Sequence, residues 1–298
     1  MKLPLVIAHR GASGYRPENT LEAFHLGIEQ QADGIEFDLV TTSDQELIIR
    51  HENTLSGTTD IEAHPEFADR KRYGVVDGQE VFDWFTEDLT FAEISTLRAI
   101  ERLPDIRPGS AKFDGEFTIP TFSELLESRF IDEKKLVVEL KQGTHISTLT
   151  TSMPELVVAD IAKADLANRK VEVYLESFDF ELLVQAKHQM ESKKLYASYL
   201  FALEGKARGE LDLVKLAEVV DGLTISLEML FADENWVADC HGLGLEVWAY
   251  TARAEQAETS IEEYYEKIID TGVDAIFADQ PDLLRRVLAN RSGSAYDY

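Results

Sequence analysis

Residues 34–39 read Gly34-Ile35-Glu36-Phe37-Asp38-Leu39, and their alternation decides the fold. Successive side chains of a strand point to opposite faces, so Ile35, Phe37 and Leu39 share one face while Glu36 and Asp38 share the other. An apolar face turned toward helices and an acidic face turned toward an enclosed axis is the arrangement of a barrel strand. Seven further short apolar runs lie at residues 5–9, 136–141, 171–176, 195–199, 220–225, 245–250 and 275–279. They recur at intervals that leave room for a helix between them, the rhythm of βα units on a parallel sheet. Eight such units in roughly 250 residues, once one insertion is set aside, predict an α/β fold of the (β/α)8 barrel type over a doubly wound sheet.

The insertion follows the second strand. Thr41-Thr42-Ser43-Asp44-Gln45-Glu46 is a turn-rich link too short for a parallel crossover, so residues 47–51 are expected to return antiparallel as a hairpin arm. From residue 52 to 117 the βα rhythm is lost, apart from one helix predicted where Thr90 and Glu93 form a capping box ahead of Ile94 and Leu97. A segment placed there is expected to form a lid or rim over the C-terminal ends of the strands. The organisation predicted is a barrel of residues 1–51 and 118–290, an insertion subdomain of residues 52–117, and a disordered tail from 291 to 298. The first crossover helix is expected to begin at Asn19 as cap, with Glu22 at the third position and Leu21, Phe24 and Ile28 in one apolar stripe.

Composition excludes several classes. The chain has 298 residues, 29 Lys and Arg against 56 Asp and Glu, and a net charge of −27. That is the wrong sign for a nucleic-acid binder or for an anionic membrane surface. At 44% hydrophobic it has material for a large core despite the charge. The single cysteine, Cys240, excludes an intramolecular disulfide and a cysteine-based zinc site. No apolar run approaches the ~18 residues of a membrane span, so no stable membrane insertion is expected. Residues 3–8 are too short for a signal-peptide core. The chain as written is expected to be cytoplasmic, with a mature periplasmic or secreted form as the alternative.

The polar residues at the strand ends carry the chemistry. Glu36 and Asp38, aimed into one interior, cannot both stay ionised without a counter-cation. In Leu136-Val137-Val138-Glu139-Leu140-Lys141 the same alternation turns Glu139 and Lys141 inward, which adds a third carboxylate and a fixed positive charge. Three converging acids predict a site for one hard divalent ion, Ca²⁺ or Mg²⁺. The first strand ends in His9-Arg10-Gly11 where barrel chemistry sits. His51 closes the hairpin arm near the same rim, so His9 and His51 supply two imidazoles suited to acid and base roles. His25, His64, His145, His188 and His241 lack this convergence and read as structural or surface groups.

These residues stand within longer motifs. The run Ala8-His9-Arg10-Gly11-Ala12-Ser13-Gly14-Tyr15-Arg16-Pro17-Glu18-Asn19-Thr20-Leu21-Glu22-Ala23-Phe24 resembles the opening signature of the glycerophosphodiester phosphodiesterases. So do Glu36-Phe37-Asp38, His51-Glu52, Pro120-Thr121-Phe122, Glu139-Leu140-Lys141, Glu176-Ser177-Phe178-Asp179 and residues 272–282, in the family's order. Asp88-Leu89-Thr90-Phe91-Ala92-Glu93-Ile94 resembles that family's insertion subdomain. The resemblance implies a TIM barrel that hydrolyses glycerophosphodiesters to sn-glycerol 3-phosphate and an alcohol. It implies Glu36, Asp38 and Glu139 as ligands of Ca²⁺ or Mg²⁺, His9 and His51 as the proton-transfer pair, and Arg10 and Lys141 on the phosphate. Glu18 would orient Arg10 or the metal. Phe178, Tyr199 and Trp248, near strand ends, would wall the pocket for the small-molecule substrate. Glu52 departs from the Asp usual after the second histidine, which weakens the case for a role there.

Two other readings use the same residues. A lysophospholipase D-type phosphodiesterase would need an exposed apolar entrance, for which Phe82, Trp84, Phe85 and Phe91 of the insertion are the candidates. A non-catalytic phosphate or headgroup-binding barrel would be expected to have lost a histidine or an acid, and here all five are present.

Overall fold

The computed structural model describes residues 2–76, 78–141 and 151–293; His145 and the end of the expected tail, 294–298, lie outside them. Eight parallel strands close into a barrel. They are β1 (Leu5–His9), β2 (Gly34–Thr41) and, after the insertion, β6 (Lys135–Leu140), β7 (Glu172–Ser177), β8 (Ser198–Leu203), β9 (Gly222–Ser226), β10 (Glu246–Ala252) and β11 (Ala275–Ala278). β1 pairs with both β11 and β2, which closes the sheet. β3 (Leu47–Ile49) lies antiparallel on the upper half of β2, and β4 (Arg72–Val76) with β5 (Gln79–Asp83) forms a separate hairpin in the insertion.

The helices that cover the barrel are α1 (Leu21–Glu29), α3 (Phe122–Glu127), α4 (Met153–Lys163), α5 (Phe180–Ser192), α6 (Leu213–Ala217), α7 (Leu227–Ala232), α8 (Trp236–Gly242), α9 (Ile261–Ile269) and α10 (Pro281–Ser292); the short α2 (Phe91–Ile94) belongs to the insertion. Their starts follow from local chemistry. Thr121 and Ser152 form capping boxes with Glu124 and Glu155, satisfying backbone N–H groups that a helix start leaves without partners. In the insertion, Thr90 and Glu93 do the same for α2.

Outward strand residues and the helices make one continuous core. Phe37 of β2 sits between Phe24 of α1 and Phe122 of α3, at centroid distances of 5.8 and 5.7 Å. Phe37→Ala is therefore expected to cost about 3–5 kcal/mol, read from a denaturant titration, because the two flanking helices cannot both collapse into the void. Inward residues Ile7, Val137, Leu200, Trp248, Ala275 and Phe277 form a second buried cluster that plugs the barrel beneath its mouth. A third cluster, with Leu55, Trp84, Leu89, Ile94 and Leu97, seats the insertion on Val40 and Ile48 of the β2–β3 arm.

Three expectations need correction. α10 continues through Arg291 and Ser292 and ends at Gly293 in the left-handed conformation (φ 70°), because Leu284, Val287 and Leu288 keep burying one face up to the last turn. The run at 195–199 precedes its strand: β8 begins at Ser198, while Leu195 closes the end of α5 through its N–H to the Met190 carbonyl. The cap of α1 is Thr20, whose hydroxyl accepts from the Ala23 N–H at 3.1 Å, and not Asn19.

Candidate active site

The barrel's inner polar residues gather at the C-terminal ends of the strands. Glu36 and Asp38 come from β2, Glu139 and Lys141 from β6 and the residue just past it, and Glu176 from β7. One oxygen each from Glu36, Asp38 and Glu139 lies within 4.8 Å of the others, and all three side chains are buried. The donors are carboxylate oxygens only, a hard set that fits Ca²⁺ or Mg²⁺ and not a thiophilic metal.

Electrostatics distinguishes the three. Burial, then the neighbouring Asp38 charge, pushes Glu36 well above the usual carboxylate range. Burial also opposes ionisation of Asp38, but Lys141 at 2.8 Å and the Arg10 guanidinium more than offset it and hold Asp38 low. Glu139 is raised by burial and by Asp38 despite Lys141 at 2.7 Å. Glu176 is pushed up to about 8 by burial and by Glu139. Burial and mutual repulsion disfavour the charged forms of Glu36, Glu139 and Glu176, a strain that a bound cation would relieve.

The loop after β1 wraps back onto these acids. Gly11 turns the chain at φ 82°, where a Cβ would meet the Ala23 carbonyl carbon at 2.5 Å. Arg10 and Asn19 are also left-handed, at φ 55° and 58°, and the Asn19 N–H donates to the Arg10 carbonyl at 3.0 Å. This fold-back brings Asn19 Nδ2 to Asp38 Oδ2 (2.8 Å), the Arg10 N–H to Glu36 Oε2 (2.9 Å) and Arg10 Nη1 to Glu18 Oε1 (3.0 Å). The strained conformations thus serve the acid cluster.

Each imidazole is held by a carboxylate. His9 Nδ1 donates to Asp279 Oδ1 at 2.7 Å, and the opposite nitrogen, Nε2, lies 3.9 Å from Glu36 Oε2. The acceptor-only carboxylate fixes this tautomer. Burial and Arg10 together push His9 down to about 4 against the opposing pull of Asp279, so its ring is neutral near pH 7. His51 Nδ1 donates to Glu52 Oε1 at 2.6 Å. Glu52 thus carries a contact that its departure from the usual residue argued against.

A cavity of about 400 Å³ opens over the cluster, and His9, Arg10, Glu36, His51, Glu139 and Lys141 all line it. Phe178 lines it too, 6.0 Å from Tyr250 in an edge-to-face pair. Two expected wall residues are elsewhere. Trp248 is fully buried in the barrel plug, one inward position below Tyr250, so Tyr250 takes the place expected for it. Tyr199 stands one position after the start of β8 and faces outward into the helix layer, far down the strand from the mouth. Glu176 and Asp279 fall within the motifs that carry the family resemblance but are given no site role there, and neither is Tyr250, although strand alternation turns each inward.

Residues 9–283 match the glycerophosphoryl diester phosphodiesterase family. A glycerophosphodiester phosphodiesterase of Arabidopsis thaliana is 29% identical over 93% of this chain and 83% of its own length, and one of Bacillus subtilis is 26% identical over 95% and 86%. Among solved structures, a putative glycerophosphoryl diester phosphodiesterase of Silicibacter pomeroyi superposes with a TM-score of 0.73 at 25% identity, covering 99% of this chain and 96% of that one. A phosphodiesterase of Oleispira antarctica, solved in complex with the product sn-glycerol-3-phosphate, gives 0.69 at 25% identity with 96% and 97% covered.

Proposed function

The chain belongs to the glycerophosphoryl diester phosphodiesterase family, and on that premise we propose that it hydrolyses glycerophosphodiesters to sn-glycerol 3-phosphate and an alcohol in a cation-dependent reaction. The observation that carries this reading is the convergence, around one cavity, of two carboxylate-oriented imidazoles with the Glu36, Asp38 and Glu139 cluster. A Ca²⁺ or Mg²⁺ ion held by those three acids would supply Lewis-acid stabilisation of the charge that grows on the phosphoryl oxygens. Arg10 and Lys141 line the same cavity and add fixed positive charge that the transition state uses more than the ground state does. One imidazole takes the proton of the attacking oxygen, and the other protonates the departing alkoxide. Glu18 holds Arg10 by its Nη1, and Phe178 with Tyr250 forms an aromatic part of the cavity wall. Barrel residues 1–51 and 118–290 supply the acids and imidazoles, and residues 52–117 form the rim.

A second reading has one observation in its favour. Trp84 and Phe85 are buried, but Phe82 is 52% exposed beside Tyr73 and Val75 on the β4–β5 hairpin. Val76 of that hairpin lines a groove shared with His51, Lys141 and Phe178. An exposed apolar hairpin beside the site suits a lysophospholipid. No helix among the described residues is long and apolar enough to cross a membrane.

One assay tests both. Choline release from glycerophosphocholine is expected to exceed that from lysophosphatidylcholine, to vanish in EDTA, and to return with Ca²⁺ or Mg²⁺. Turnover of the lipid alone would favour the second reading, and turnover unaffected by EDTA would remove the cation from the mechanism.

A further inference from the structure

The two carboxylates that hold the imidazoles are themselves gripped by arginines from a single short stretch of the insertion. Arg102 donates from Nη1 and Nη2 to the two oxygens of Glu52 at 2.8 and 2.7 Å, and from Nε and Nη2 to those of Glu18, both at 2.7 Å. One guanidinium therefore ties the partner of His51 to the partner of Arg10. Five residues on, Arg107 donates from Nη2 to Asp279 Oδ2 at 2.5 Å, from Nε to Glu255 Oε1 at 2.6 Å and from Nη1 to the Ser13 carbonyl at 3.1 Å. Asp279 is the partner of His9. The segment between is a tight turn, with Arg107 N–H on the Leu103 carbonyl at 2.8 Å and Leu103 N–H on Glu101 Oε1 at 2.9 Å.

Other arginines of the insertion do not reach across. Arg98 donates to the carbonyls of Ser95, Thr96 and Leu97, and Arg72 to Glu87 and Asp88, all within the insertion. A contact made only to knit the insertion would look like these. Arg102 instead reaches Glu18 of the barrel as well as Glu52, and Arg107 reaches Asp279 and Glu255 of the barrel; Glu18, Glu52 and Asp279 each touch a site residue. A guanidinium stays charged at any working pH and presents a planar fork, so it fixes both the ionisation and the orientation of a carboxylate.

We propose that Arg102 and Arg107 are positioning residues through which the insertion sets both imidazoles, Arg107 acting through Asp279 on His9 and Arg102 through Glu52 on His51 and through Glu18 on Arg10. The inference rests on the phosphodiesterase reading of this site. It makes the insertion a working part of the reaction centre, with Arg107 acting on Asp279 beside the barrel's own Arg253, which donates to the same carboxylate from Nε at 3.1 Å.

The test is steady-state kinetics of the full chain on glycerophosphocholine, with the imidazole N–H resonances read by proton NMR. Arg107→Ala is expected to lower kcat by about 10–100-fold with KM changed less than about threefold, since His9 alone loses its setting. Arg102→Ala is expected to lower kcat by about the same factor and to raise KM as well, because Arg10 loses Glu18's anchor. The downfield Nδ1–H signal should change for His9 in the first variant and for His51 in the second. Arg102→Lys and Arg107→Lys should not restore kcat, since an ammonium cannot bridge two acceptors in one plane. A kcat within about twofold of wild type in either folded Ala variant, or full recovery in a Lys variant, overturns the proposal. Should an Ala variant not fold, the Lys variant decides: lowered kcat with an unchanged melting temperature supports it, and unchanged kcat overturns it. A wild-type chain without turnover would instead sink the phosphodiesterase reading, and the imidazole signals would still report whether the arginines set the rings.

Discussion

His9→Ala is expected to lower kcat on glycerophosphocholine by about 10²–10⁴-fold, and His51→Ala to do the same, with the barrel intact in both. The size of the effect follows from how completely each ring is committed. His9 has one nitrogen on Asp279 at 2.7 Å and the other directed at the acid cluster, 3.9 Å from Glu36. Alanine removes the ring that would carry the proton there. The fold should survive because Asp279 keeps Arg107 and Arg253 as partners and is not left as an unpaired buried charge. His51 is the less buried of the two, and Glu52 keeps both its bonds to Arg102 when the ring is removed. Because the rings act on one reaction, the double variant should be little slower than either single one. More than about a tenth of wild-type turnover in either single variant would refute the paired acid and base assignment.

What the sequence made legible was whatever strand alternation and local turn chemistry control. Ile35, Phe37 and Leu39 face the helices and Glu36 and Asp38 face the axis, as their spacing alone requires. The same rule reached Glu176 and Asp279, two positions from the inward Tyr174 and Phe277, but a lone acid on a strand has no second acid beside it to draw attention. Trp248 failed for a different reason. Being inward is not the same as being near the mouth, and two residues along a strand separate the plug from the cavity floor. Tyr199 failed because the run 195–199 makes it the last residue of its strand, whereas β8 spans Ser198–Leu203 and places it near the start, far from the mouth. Asn19 shows a competition between two uses of one side chain. Its residue type suits a helix cap, but the left-handed turn at Arg10 and Asn19 sends its amide to Asp38 and leaves the capping to Thr20. Arg102 and Arg107 could not be found at all, because their partners lie 84, 50 and 172 residues away and no local spacing marks them.

The −27 net charge bears on the last expectation, since an acidic chain that binds an anionic substrate must neutralise its own site first. Arg10 and Lys141 are spent largely on Glu18, Asp38 and Glu139, which leaves Glu36 with a backbone N–H and the neighbouring negative charge of Asp38. Glu36→Gln is therefore expected to separate folding from cation binding. Without added metal the variant should be at least as stable as wild type, because burial and the Asp38 charge already disfavour the ionised form of Glu36, and a neutral glutamine carbonyl still accepts from the Arg10 N–H. With Ca²⁺ or Mg²⁺ added, wild type should gain stability, by about 2.7 kcal/mol at a hundredfold excess over Kd, and the variant should gain almost none. Thermal unfolding with and without the cation reads both halves, and calorimetric titration should show binding lost in the variant. Turnover should fall with it by at least the factor expected for the histidines, since the transition-state charge would then face Arg10 and Lys141 alone. An equal cation-induced rise in wild type and Glu36→Gln would show that the ion sits elsewhere and would leave the carboxylate cluster without its assigned ligand.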